Sequence, residues 1–219
     1  MSADIRPEAW RLYVVTDEKV SRGRSHLEVA EKAIRGGADV IQYRDKSSPS
    51  GELYRIALAM RKLTRDAGIP LIINDRLDIA LAVGADGLHV GQDDMPASVS
   101  RRLLPPGMIL GVSTELPEEA LRAEKDGADY IGVGPIFEAR GTKADAGSPK
   151  GPGMIAPIRA VCRLPIVAIG GIKSGNARSV LEAGADAVAV ISDIVGADDI
   201  EQAARGMKEL LKTTGGRRS

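Results

Sequence analysis

The chain has 219 residues, of which 43% are hydrophobic and 3% aromatic, and its 30 basic and 30 acidic side chains cancel to zero net charge. That length fits one domain near the lower end for a (β/α)8 barrel, which commonly takes ~250 residues and as few as ~200, and it does not fit two. The charge balance leaves no global field for nucleic acid or an anionic membrane surface, so any anion site has to be local.

In chain order, strands are expected at 12–16, 40–44, 71–74, 87–90, 109–112, 130–133, 166–169 and 187–191. Amphipathic helices are expected between and after them at 27–34, 52–66, 77–83, 98–104, 117–125, 154–161, 177–182 and 200–211, where apolar residues recur at helical spacing. Alternation throughout implies parallel strands joined by right-handed crossovers, and eight of them close more naturally into a barrel than into an open sheet. An open doubly wound sheet is the alternative. With so few aromatics, the core is expected to consist of Ala, Val, Ile and Leu.

A repeat supports the barrel independently. Gly-Ala-Asp occurs at Gly37, Gly84, Gly127 and Gly184, each copy running into an apolar stretch. The steps between copies are about twice the ~20–30 residues of one βα unit, so four double units give eight strands. Gly suits a helix end in the left-handed conformation, after which a short turn feeds a buried strand.

Other segments carry less. No apolar run approaches the ~18 residues of a membrane span and residues 1–7 lack an apolar signal core, which predicts a cytoplasmic protein. Cys162, the lone cysteine, is expected to be an inert buried residue at a helix end, and 213–219 a frayed tail. His26, at the polar Ser25-His26 helix start, is expected on the surface. His89 is expected to satisfy a neighbour within the barrel. The stretch from Phe137 to Gly153 has no sustained period and follows a strand, so it is expected to be a lid over the active-site face.

Carboxyl ends of barrel strands converge on one mouth. The second strand ends in Gln42-Tyr43-Arg44-Asp45-Lys46, where alternation puts Gln42, Arg44 and Lys46 on one side. Two cations and an amide suit a polyanion beside a heteroaromatic edge. Asp75, after the third strand, and Asp94, after the fourth, are positioned to share a Mg²⁺, a hard ion that pairs carboxylates with substrate phosphates, although each alone reads equally as a turn or helix cap. Ser113 either donates to a phosphate or caps a helix. Gly170-Gly171 and Ile191-Ser192 lie after the seventh and eighth strands, where barrels often bind phosphate. Two anion sites in one mouth, one metal-assisted, point to group transfer from a diphosphate to a phosphorylated acceptor.

These residues resemble a known family. Tyr13-Val14-Val15-Thr16-Asp17, Gln42-x-Arg44-x-Lys46, Asn74-Asp75, His89-Val90-Gly91-Gln92-x-Asp94, Gly111-Val112-Ser113, Gly134-Pro135-Ile136-Phe137, Thr142-Lys143, Gly170-Gly171-Ile172 and Ile191-Ser192 resemble thiamine phosphate synthases in order and spacing. The resemblance implies a (β/α)8 barrel, Mg²⁺ as cofactor, and small-molecule substrates, hydroxymethylpyrimidine diphosphate and thiazole phosphate, joined with loss of diphosphate. It implies that Gln42 faces the pyrimidine, that Arg44, Lys46, Asn74, Ser113 and Lys143 hold the diphosphate, and that Asp75 and Asp94 ligate Mg²⁺. Arg140, Gly141, Thr142, Gly171, Ile191 and Ser192 are implied for thiazole phosphate. Tyr43 and Asp45 are grouped with the substrate-binding segment, and Lys46, Lys143 and Ser113 form the catalytic set. No protein nucleophile is required.

Two departures stand out. Glu138-Ala139-Arg140-Gly141 replaces the family's Pro-Thr lid pattern and adds a residue. Glu115 stands where many relatives carry His, a residue the related thiazole tautomerases use for proton transfer. The alternatives are such an isomerase, or a noncatalytic phosphate binder on the same barrel.

Overall fold

The structure, a computed structural model, describes residues 6–138 and 148–214. Eight parallel strands close a barrel in sequential order: β1 (Leu12–Val15), β2 (Val40–Tyr43), β3 (Leu71–Asn74), β4 (Gly87–Val90), β5 (Ile109–Thr114), β6 (Tyr130–Val133), β7 (Ile166–Ile169) and β8 (Ala187–Val190). The register Tyr13↔Val40 and Val14↔Val190 shows β1 pairing with both β2 and β8, which closes the sheet. Around it run α1 (His26–Arg35), α2 (Ser50–Ala67), α3 (Leu77–Val83), α4 (Ala97–Leu103), α5 (Pro117–Lys125), α6 (Ile155–Val161), α7 (Ala177–Glu182), the single-turn α8 (Ser192–Val195) and α9 (Ile200–Thr213). The expected strands and helices are all present, with ends shifted by a few residues. The short α8 is additional, since one turn is too brief to show a helical period.

The Gly-Ala-Asp repeat has a structural explanation. All four glycines adopt positive φ, at 96°, 59°, 87° and 111° for Gly37, Gly84, Gly127 and Gly184. Each following aspartate then reaches back to the start of the preceding strand. Asp39 Oδ2 accepts from the backbone N–H of Arg11 and Leu12, Asp86 from Leu71, Asp129 from Leu110 and Asp186 from Ile166. A cation completes every copy: Lys208 on Asp39, Arg61 on Asp86, Arg101 on Asp129 and Arg159 on Asp186. The repeat therefore ties the strands pairwise at the amino-terminal rim, opposite the mouth.

The layer between sheet and helices is aliphatic as expected, built from residues such as Leu12, Ile41, Leu71, Leu88, Ile131 and Val188. Inside the barrel the expectation holds only in part: Val15, Val40, Ile72, Ile109, Val167, Ala187 and Ala189 are joined by three large rings. The chain's one tryptophan and two of its four tyrosines gather there as Trp10, Tyr13 and Tyr130. Trp10 packs edge-on to both tyrosines at centroid distances of 5.7 and 5.2 Å. Rare large rings fill the interior where small aliphatics would leave voids. Gly111 makes room for them: a Cβ there would stand 2.2 Å from the Tyr130 ring and 2.5 Å from His89 Nδ1.

His26 also departs from expectation, being 5% exposed rather than on the surface. Ser25 caps α1 through Glu28 N–H, and this turns the first helical residue inward against Thr16 and Tyr43. Burial lowers the His26 pKa, against the pull of Asp45, Glu18 and Asp17. Cys162 is buried at the end of α6, as expected. Among the described residues no helix is long and apolar enough to cross a membrane.

Candidate active site

The carboxyl ends of the strands open onto one cavity of about 250 Å³. Gln42, Arg44, Lys46, Asn74, Asp75, Asp94, Ser113, Gly171, Ile191 and Ser192 all line it, so ten of the residues singled out in the sequence come together. Tyr43 and Asp45 do not line it. Strand alternation carries Gln42, Arg44 and Lys46 inward and turns these two toward α1, where Tyr43 enters the outer core. Arg140, Gly141, Thr142 and Lys143 lie outside the described residues.

One wall is cationic. Arg44 is 9% exposed, its Nη1 pairs with Asp17, and its buried Nε has no hydrogen-bond partner. Lys46 Nζ lies 3.4 Å from Asp75 Oδ2 and stays half-exposed. A guanidinium held in place by Asp17 and a half-exposed ammonium, both lining the cavity, give this wall the charge to receive an anion.

Beside this wall stand the two carboxylates. Asp75 sits at the β3 end with φ 60°, a left-handed conformation that aspartate tolerates better than most residues, while its N–H donates to His89 O across to β4. Asp94 is fixed by the Gly91 N–H, which donates to its Oδ2 at 2.8 Å. Burial, followed by the adjacent Asp94, raises the Asp75 carboxyl to about 6, with Lys46 opposing. Two carboxyls held together in a partly dry site favour a shared proton or a cation between them.

A buried hydrogen-bonded chain crosses the barrel beneath the cavity. Gln42 Nε2 donates to Tyr13 Oη at 2.8 Å, the Tyr13 and Tyr130 hydroxyls are 2.8 Å apart, Tyr130 Oη is 2.9 Å from His89 Nδ1, and His89 Nε2 is 2.9 Å from Ser113 Oγ. Burial raises both tyrosine pKa values, so both stay neutral. His89 thus satisfies neighbours as expected. The roles of Tyr13 and Tyr130 escape sequence reasoning, because they depend on side chains brought together across the barrel. Gln92 adds a bond from Nε2 to Ser113 O at 2.6 Å.

Across the cavity lies the glycine-lined side. Gly170 and Gly171 have φ of 104° and 59°, and α8 begins at Ser192. The segment after β6 packs directly on them, with Phe137 N–H donating to Gly170 O at 2.9 Å. A Cβ on Gly171 would lie 2.5 Å from Glu138 O, so this junction requires glycine. The far arm of the expected lid pairs back onto the residue that precedes the lid, Gly151 N–H donating to Ile136 O at 2.9 Å. Glu115 binds Lys150 at 2.9 Å at the cavity edge.

A family described as Thiamine monophosphate synthase matches residues 12–194. The chain belongs to this family. It is 56% identical over 205 residues to the thiamine-phosphate synthase of Chloroflexus aurantiacus, covering 94% of each chain. It is 54% identical over 208 residues to that of Moorella thermoacetica, covering 95% of this chain and 99% of the relative. Among solved structures, the thiamine phosphate pyrophosphorylase from Pyrococcus furiosus superposes with a TM-score of 0.87 at 38% identity, covering 96% of this chain and 99% of that one. As a member of the thiamine monophosphate synthase family the chain is a transferase, which sets aside the noncatalytic reading.

Proposed function

We propose that this chain joins hydroxymethylpyrimidine diphosphate to hydroxyethylthiazole phosphate, releasing diphosphate in a Mg²⁺-assisted dissociative substitution. The observation that carries the reading is the pairing, in one cavity, of a carboxylate and cation wall with a glycine-lined wall opposite. The first suits a diphosphate and the second a phosphomonoester.

Asp75 and Asp94 fit Mg²⁺ by donor type: both offer hard carboxylate oxygens at neighbouring strand ends, lining one cavity. When bound there, Mg²⁺ would neutralise charge accumulating on the departing diphosphate. The remaining work falls to side chains. Arg44, Lys46, Asn74 and Lys143 would hold diphosphate oxygens, with Ser113 donating its hydroxyl. Gln42 would orient the pyrimidine through its amide. Gly171, Ile191 and Ser192, with Arg140, Gly141 and Thr142, would receive the thiazole phosphate. The C–O bond to diphosphate breaks first, and the thiazole nitrogen then supplies the electron pair for the new C–N bond. Water exclusion matters because water would compete for the same cation. The reading puts the enzyme in the cytoplasm.

The test is to incubate the purified protein with both substrates and Mg²⁺. Thiamine phosphate and diphosphate in equal amounts support the reading. Isomerisation of the thiazole phosphate without coupling would support the tautomerase alternative instead.

A further inference from the structure

Outside the cavity, behind the ends of β1 and β2, stands a second group of ligand-bearing side chains. Glu18, His26 and Asp45 each offer one atom, and these atoms lie within 4.8 Å of one another. His26 Nε2 is shut from solvent and has no hydrogen-bond partner. It stands 3.6 Å from Glu18 Oε1 and 3.8 Å from Asp45 Oδ2, beyond hydrogen-bond range.

Each of the three is anchored by the protein through one atom, and its second ligand atom lies near a common centre, carrying a hydrogen bond only at Asp45, where it is long. His26 Nδ1 is fixed by Thr16 Oγ1 at 2.8 Å. Asp45 Oδ1 accepts from the N–H groups of Ser47 and Ser48 at 2.9 and 3.0 Å, while Oδ2 has a 3.3 Å bond from Tyr43 Oη. Glu18 Oε2 accepts from Ser47 Oγ at 3.2 Å, leaving Oε1 beside the imidazole.

We propose that Glu18, His26 and Asp45 form a site for a divalent transition ion of the Zn²⁺ class, separate from the Asp75 and Asp94 pair. A tetrahedral ion with bonds of ~2.0–2.1 Å sets its ligand atoms about 3.3–3.4 Å apart, so the two separations from His26 Nε2 need to tighten by only a few tenths of an ångström, and the Glu18 and Asp45 oxygens, within 4.8 Å of each other, draw together around the ion. An imidazole among the ligands selects Zn²⁺ or Co²⁺ over Mg²⁺, which prefers oxygen alone. Thr16 is the outer partner that metal-bound histidines use to fix ring orientation. Glu18 is half-exposed and provides both an entry path and an open coordination position. The ion acts as a brace. Asp17, next to Glu18, holds Arg44, so tying Glu18 to Asp45 and α1 steadies the cationic wall of the cavity.

The competing arrangement is a doubly protonated His26 held by two carboxylates. Histidine-¹⁵N NMR separates the two, because the chain has only two histidines, His26 and His89. Chelator-stripped full-length Asp75→Asn protein, in which the other carboxylate pair is disabled, is titrated with Zn²⁺. The expected result is a shift of His26 Nε2 at one ion per chain, with Nδ1 protonated and His89 unmoved. Co²⁺ should give visible ligand-field bands at the same stoichiometry. Glu18→Gln, which alters a half-exposed side chain and spares the core, should weaken Zn²⁺ at least about tenfold. His26 nitrogens that are both protonated at neutral pH and indifferent to excess Zn²⁺ would overturn the site in favour of the ion pair. Zn²⁺ binding of equal strength in Glu18→Gln would overturn it too.

Discussion

Replacing Asp75 by Asn should make the metal-free protein more stable while removing most of its activity. Asp75 carries three burdens: partial burial, a neighbouring carboxyl, and a φ of 60° that asparagine adopts more readily than aspartate. Lifting a carboxyl from 3.8 to about 6 corresponds to about 3 kcal/mol once the group is ionised in both the folded and the unfolded state. Residual solvent screening reduces this, while the opposing pull of Lys46, 3.4 Å away and half-exposed, is already contained in the raised value. The net expectation is ~1–2 kcal/mol in favour of the Asn variant at pH 8. The sign follows from proton binding. The folded state holds the Asp75 proton more tightly than the unfolded chain, so the wild type loses stability as pH rises from about 3.8 to about 6. Urea unfolding of wild type and variant in chelator, at pH 4 and pH 8, measures the difference. The advantage should be full at pH 8 and small at pH 4. An Asn variant no more stable than wild type at pH 8, or an advantage equal at both pH values, would refute the reasoning.

Three further outcomes are expected. Tyr130→Phe breaks the buried chain between Gln42 and Ser113 at a cost of ~0.5–1.5 kcal/mol, and the His89 ¹⁵N resonances should change while His26 stays fixed; unchanged His89 signals would contradict the chain. Asp39→Ala removes the acceptor for two backbone N–H groups and the partner of Lys208, so urea unfolding should report a loss of ~2–4 kcal/mol with the Michaelis constants nearly unchanged, and a large change in those constants would show that the amino-terminal rim reaches the site. Lys143→Ala should cut turnover strongly while leaving the unfolding midpoint in place, and wild-type turnover would remove Lys143 from the catalytic set.

Much of the fold was legible because one device recurs. Only a left-handed glycine followed by an aspartate reaching back to the preceding strand explains Gly-Ala-Asp four times over, and that device belongs to parallel βα units. The cavity wall was legible for a similar reason, since two-residue alternation separates Gln42, Arg44 and Lys46 from Tyr43 and Asp45. Applied strictly, the same alternation excludes Tyr43 and Asp45 from the cavity, so that correction was available from the sequence. The burial of His26 was not, because it depends on how the Ser25 cap turns the first residue of α1 toward Thr16. Nor was the pairing of Tyr13 with Tyr130, 117 residues apart, since nothing local marks two tyrosines that meet across a barrel.

The most direct measurement of the central claim is the rate of thiamine phosphate formation by wild type and Asp94→Asn across a Mg²⁺ titration. The substitution keeps the side-chain shape and removes one charge from the pair that the Gly91 N–H holds in place. The account predicts no product in chelator for either protein, saturable activation of the wild type, and an Asp94→Asn rate lower by orders of magnitude that recovers in part at high Mg²⁺. Product formation undiminished by chelator, or an Asp94→Asn variant with wild-type rate and wild-type Mg²⁺ dependence, would contradict it.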